Sequence, residues 1–184
     1  MQTLRIYGSV DHQREAIAIE LLRRNARAHV LKSSTQLSAR RLQGIAEKIG
    51  VPWGGSTRGP LPQVSQVYPS DAERLNVRTF APVYIGYAAS PRASIDVLAL
   101  ISAHDFCRDQ LGISIHIDHC WSMARDIRNG HIFRKQCSCG EYFFVCGATT
   151  REKCQICRGD GKPSPDPMPV HVRTLSDTAE TKLD

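Results

Sequence analysis

The chain has 184 residues, 41% of them hydrophobic, with a formal net charge of +6 and an isoelectric point near 9.1. That is enough to bury a core, as one domain with an appended module or as two small ones. No apolar run approaches the ~18 residues of a membrane span, and the opening MQTLRIYGSV lacks the charged start and apolar stretch of a secretory signal, so a cytoplasmic protein with no membrane partner is expected.

From Asp11 to about Leu31 there is no Pro or Gly, and Ile17, Leu21, Ala28 and Leu31 recur at helical spacing. One helix is predicted there, with Arg14, Arg24 and Arg27 left for solvent. A second is predicted over Ala39–Ile49, where Leu42, Ala46 and Ile49 share a face. Residues 1–50 therefore read as a helical region. Gly50, Pro52, Gly54, Gly55, Gly59, Pro60 and Pro62 mark a linker over residues 51–70.

Residues 71–110 read as one or two helices interrupted around Ala89–Pro91, with Ser94 placed to cap the segment that follows. Ile113, Ile117, Cys120, Ala124 and Ile127 form the apolar seam of a further helix, ended by Asn129–Gly130. Residues 71–130 are thus a helical core or interface region. Over residues 131–160 short β-prone pieces, HIF and YFFV, alternate with cysteines. The tail over residues 161–184, with Pro163, Pro165, Pro167 and Pro169, is expected to be disordered.

Seven cysteines in a chain of this kind argue for thiolate chemistry over a disulfide framework, and five of them fall within residues 137–157. Cys137-Ser-Cys139 is followed, after fourteen residues, by Cys154-Gln-Ile-Cys157. Two close pairs on turns supply the four converging soft donors of a zinc-ribbon-like site. Gly140 and Gly159 let the backbone turn so that amides face the sulfurs. One structural zinc per chain is expected on Cys137, Cys139, Cys154 and Cys157; four thiolates leave no open position for catalysis. Cys146 ends the apolar run Tyr142–Val145 and reads as a small buried thiol, or as the substitute should Cys137 or Cys139 not be a ligand.

The segment Ser34–Leu42 has the pattern of a helix-turn-helix turn. Ser38 caps the second helix, Leu42, Ile45 or Ala46, and Ile49 seat it, and Arg40, Arg41, Gln43 and Lys48 remain for phosphates or base edges. Gln36 stands where such turns often carry Gly. Charge is distributed to match: residues 1–50 hold nine Lys/Arg against four Asp/Glu, residues 51–130 seven of each, and residues 131–163 six against three. Two basic ends around a neutral middle suit a polyanion, which adds Arg134, Lys135, Arg151 and Lys153 to the candidate DNA contacts. The sets His116, His119 and Cys120, and His104 and Cys107, read as packing. No phosphate loop, nucleophile elbow or His-Glu-x-x-His occurs, and a non-enzyme is expected. The fold class is mainly α, with a helix-turn-helix-like segment and a small four-cysteine module.

These pieces, in this order, resemble the FlhC family of flagellar transcriptional activator subunits. The likeness lies in His12–Ala18 through Leu21-Leu22, in Ala26-Arg27, in Thr35–Ser38 with Arg41-Leu42, in Arg58–Pro62, and in Trp121 and Arg125 ahead of the cysteines. The resemblance implies a mostly helical protein that joins FlhD in a hetero-oligomer, expected to be a heterohexamer, binds promoter DNA and activates flagellar operons through RNA polymerase. It also implies the four-cysteine zinc site on the residues named above. Two features depart from the family: the first cysteine pair is one residue closer, and Gln63–Tyr68 replaces an aromatic, acidic stretch. The rival expectation is a zinc-containing adaptor that binds an FlhD-like partner without productive DNA contact.

Overall fold

The structure, a computed structural model, describes residues 10–53, 71–146 and 153–158. Most of the expected linker, the expected tail and Arg151 lie outside the described residues. The chain is mainly helical: α1 (Val10–Arg23), α2 (Ala28–Thr35), α3 (Ala39–Ile49), α4 (Asp71–Tyr87), α5 (Val97–Asp109), α6 (Ile117–Arg128), the strands β1 (Ile132–Gln136) and β2 (Tyr142–Cys146), and the short α7 (Gln155–Arg158).

The helix expected from Asp11 to Leu31 is two helices. Asn25 takes a left-handed conformation, φ +57°, which an asparagine tolerates better than most side chains. The Asn25 amide then donates to the Leu22 carbonyl (2.9 Å) and the Ala26 amide to the Leu21 carbonyl (3.0 Å), a closed helix end. Helix propensity alone does not reveal this stop. What favours it is burial: the bend lets Leu21 and Leu22 of α1 and Val30 and Leu31 of α2 enter one core. Each side chain of that size contributes about 1.5–3 kcal/mol when removed from water.

Two further boundaries differ from the sequence reading. Asp96, not Ser94, caps α5: its Oδ1 accepts from the Ala99 amide at 3.0 Å. The reason lies across the hairpin, where the buried Tyr84 hydroxyl accepts the Asp96 amide and pins that residue in place. The seam expected from Ile113 begins at Ile117, because His116 is the cap of α6 and its Nδ1 accepts from the Asp118 amide at 3.3 Å.

One apolar core runs from Ala18 in α1 through Leu42 in α3, Phe80 in α4, Leu100 in α5 and Met123 in α6 to Ile132 in β1. Two charged contacts tie the first three helices to the rest. The Arg24 guanidinium forks onto Asp105 of α5, with Nε–Oδ1 at 3.1 Å and Nη2–Oδ2 at 2.7 Å. Asp118, 1% exposed at the start of α6, accepts the Arg27 amide (2.9 Å) and lies 3.0 Å from its Nε.

Burial alone would raise the Asp105 carboxyl, but hydrogen bonds from Arg24 and His104, with their charges, hold it below its ordinary value. A carboxylate held low contributes stability above the unfolded pKa of about 4 and loses it as the pH falls through the folded value. Arg24→Ala should therefore cost about 1–3 kcal/mol at neutral pH. Urea unfolding of both proteins between neutral pH and about pH 3 should show the gap closing in acid; a gap independent of pH would refute the ion pair's role.

Candidate metal centre and basic surfaces

β1 delivers Cys137 to a tight turn. The Cys137 amide donates to the Glu141 carbonyl (2.7 Å) and the Gly140 amide to the Cys137 carbonyl (2.9 Å). Gly140 sits at φ +92°, where a side chain is strained. This reversal sends the chain back as β2, antiparallel to β1, with Gln136 opposite Tyr142 and Ile132 opposite Cys146. The second cysteine pair arrives from sequence-distant chain: Cys154 just ahead of α7 and Cys157 within it.

The four sulfurs of Cys137, Cys139, Cys154 and Cys157 all lie within 4.8 Å of one another. Cys139 Sγ is 3.6 Å from Cys154 Sγ, and the Cys154 amide donates to Cys137 Sγ at 3.3 Å. A tetrahedral metal with ~2.3 Å bonds to sulfur sets its ligands about 3.8 Å apart, so the quartet needs only a small contraction to hold an ion. Cys137 and Cys154 are buried while Cys139 and Cys157 are exposed.

The protons of the quartet are unevenly held. The amides of Cys139 and Cys154 bring the Cys137 thiol down to about 6. The neighbouring thiols of Cys139, Cys137 and Cys154 push Cys157 up to about 12. The quartet thus favours a thiolate on Cys137 and disfavours one on Cys157. Metal uptake releases protons, and affinity rises with pH. Cys146, considered as a substitute ligand, is not one of the four: it lies on β2 and packs against the helical core.

The candidate DNA contacts on α3 divide into two kinds. Ser38 is the cap, its Oγ accepting from the Arg41 amide at 3.3 Å. Leu42, Ile45 and Ala46 are buried, which turns Arg40 and Lys48 outward, both exposed. Arg41 is bound by Glu15 of α1 through Nε and Nη2, and Gln43 donates to Glu47 at 2.9 Å. Glu15 was not legible as a partner, since 26 residues separate it from Arg41. At the turn Gln36 has φ +58°, the left-handed geometry that explains why glycine suits this position.

Near the cysteines Arg134, Lys135 and Lys153 are exposed. The Arg134 guanidinium lies over the Tyr142 ring, 3.7 Å from its centroid, a pairing visible only once the strand register is known. Among the described residues, His104 and Cys107 are placed in packing and ion pairing. His104 has a carboxylate neighbour, with Nδ1 3.0 Å from Asp105 Oδ1, but Arg24 holds that carboxylate, and Cys107 is buried with its thiol raised to about 11.

Purified protein should carry one metal ion per chain, measured by elemental analysis. Cys154→Ser should lose it and loosen residues 131–158, because metal binding and folding of such modules are coupled. Cys146→Ser should retain it. Metal loss in the Cys146 variant, with Cys139→Ser unaffected, would overturn the ligand assignment.

No family model matches this chain, and no curated protein matches it either, so the roles of these residues rest on their own chemistry.

Proposed function

We propose that this chain is a DNA-binding subunit of a transcription-activating complex, folded around one structural zinc on Cys137, Cys139, Cys154 and Cys157. Zinc is the ion that four cysteine thiolates most commonly hold as a closed structural site. The observation that carries the DNA reading is α3: a capped helix after a short turn, seated by Leu42, Ile45 and Ala46, that turns Arg40 and Lys48 to solvent. The order of its parts, alike to the FlhC family, supports an FlhD-like partner in a hetero-oligomer, recruitment of RNA polymerase to promoter DNA, flagellar operons as targets and a cytoplasmic site of action. Among the described residues no helix is long and apolar enough to cross a membrane.

A protein-binding adaptor is the second reading, favoured by Leu75, Ile85, Tyr87 and Leu98, large apolar side chains exposed on α4 and at the start of α5.

DNA affinity measured against salt, with and without the FlhD-like subunit, separates the two. Arg40→Gln and Lys48→Gln should each weaken binding and lower the salt slope by about one unit. Arg41→Gln should do less, because Glu15 already occupies that guanidinium. Glu15→Gln should tighten binding by releasing Arg41 and removing a like charge from the phosphates. An unchanged slope in both Arg40 and Lys48 variants would sink the helix-turn-helix reading and leave the adaptor.

A further inference from the structure

The two strands place their side chains unequally. Register and alternation put Ile132, Arg134, Gln136, Tyr142, Phe144 and Cys146 on one face of the ribbon. At the helical end of this face Ile132, Phe144 and Cys146 pack against the core. Toward the turn the same face emerges into solvent, where Arg134 and Gln136 are exposed and Tyr142 is 49% exposed. Arg134 and Tyr142 are diagonal neighbours, the spacing at which long and aromatic side chains meet across an antiparallel pair.

The guanidinium carbon lies over the ring, 3.7 Å from its centroid. A ring takes up the flat face of a guanidinium and leaves its N–H edge directed outward. That differs from Arg41, whose N–H groups are spent on the Glu15 carboxylate. It differs also from Lys135, on the opposite face, whose ammonium is a flexible point charge. An arginine already ordered by a ring loses less freedom when its fork closes on a phosphate. The ribbon is anchored at one end by Ile132 in the core and at the other by the cysteine quartet, so the fork sits on a fixed support.

We propose that Tyr142 is a positioning residue that holds Arg134 as a preset donor fork for the phosphodiester backbone of double-stranded DNA. The inference rests on the DNA-binding reading above and adds to it a residue outside the basic set. Gln136, exposed on the same face and donating to the Gly140 carbonyl at 3.2 Å, stiffens the turn beside the fork.

The test uses the full chain in its metal-bound form and a fluorescein-labelled duplex of arbitrary sequence, because a phosphate contact does not depend on base sequence. Tyr142→Phe and Tyr142→Trp keep a ring under the guanidinium and should bind within about twofold of the parent. Tyr142→Leu, with Tyr142→Thr in its place if the leucine variant loses metal, should weaken binding about two- to fivefold at unchanged metal content. Arg134→Gln should lower the salt slope by about one unit, and on that background the residue-142 changes should have no further effect. If the ringless variants bind like the parent while Arg134→Gln weakens, the positioning role is refuted and the DNA reading stands. If Arg134→Gln is silent while Arg40→Gln and Lys48→Gln weaken, the ribbon is not a DNA contact. Absence of salt-dependent binding by the parent overturns both.

Discussion

The buried carboxylate of Asp118 is the contact on which the arrangement of this chain depends. It sits at the first turn of α6, where the helix dipole favours a negative charge. It also takes the backbone amide of Arg27, the residue that opens α2 and has no side-chain cap of its own there. The same arginine brings its Nε to 3.0 Å from the carboxylate, so one acidic group meets both the start of α2 and a cation. Removing the arginine side chain would leave the buried carboxylate only the residue-27 amide and a neighbouring histidine, a loss of about 1–3 kcal/mol. The contact ties the start of α2 to α6, and α6 leads from it into the cysteine-bearing ribbon.

That ribbon is continuous with the helical core. Gly130, at φ +76°, ends α6 with its amide on the Ile127 carbonyl, and Ile132 then enters the core as the first residue of β1. The cysteine quartet closes the far end, drawing in Cys154 and Cys157 from beyond β2. A metal held there would organise the local chain and, through the ribbon, the residues displayed on it. Four thiolates would meet its charge, which leaves it a structural part.

Among the described residues, Arg24, Arg27, Arg41 and Arg134 are put to different uses by their surroundings. Arg24 and Arg27 face carboxylates that are partly or wholly buried, and they hold helices together. Arg41 faces an exposed-side carboxylate on a neighbouring helix, which offsets its charge without burying it. Arg134 faces a ring, which orders it and leaves its charge available. Net charge counts these groups alike, although Arg134, like the exposed Arg40 and Lys48, is placed to meet a phosphate and the buried pairs are not.

What the sequence by itself determined was whatever depends on neighbours a few residues apart. Helical periodicity located α3 and the seam of α6, Ser38 announced its own cap, and the spacing of two cysteine pairs announced the quartet, because tight turns bring such residues together whatever the rest of the chain does. Tertiary structure alone decided the remainder. Asn25 breaks the first helix since burying Leu22 and Leu31 in one core outweighs a few residues of continued helix. Asp96 displaces Ser94 as a cap because Tyr84, in another helix, holds it. Cys146 stays out of the quartet because its strand faces the helices, and Arg41 and Arg134 acquire opposite characters from partners that lie far off in sequence or that only strand register defines. These outcomes turn on which long-range contacts close simultaneously, and local chemistry carries no record of that.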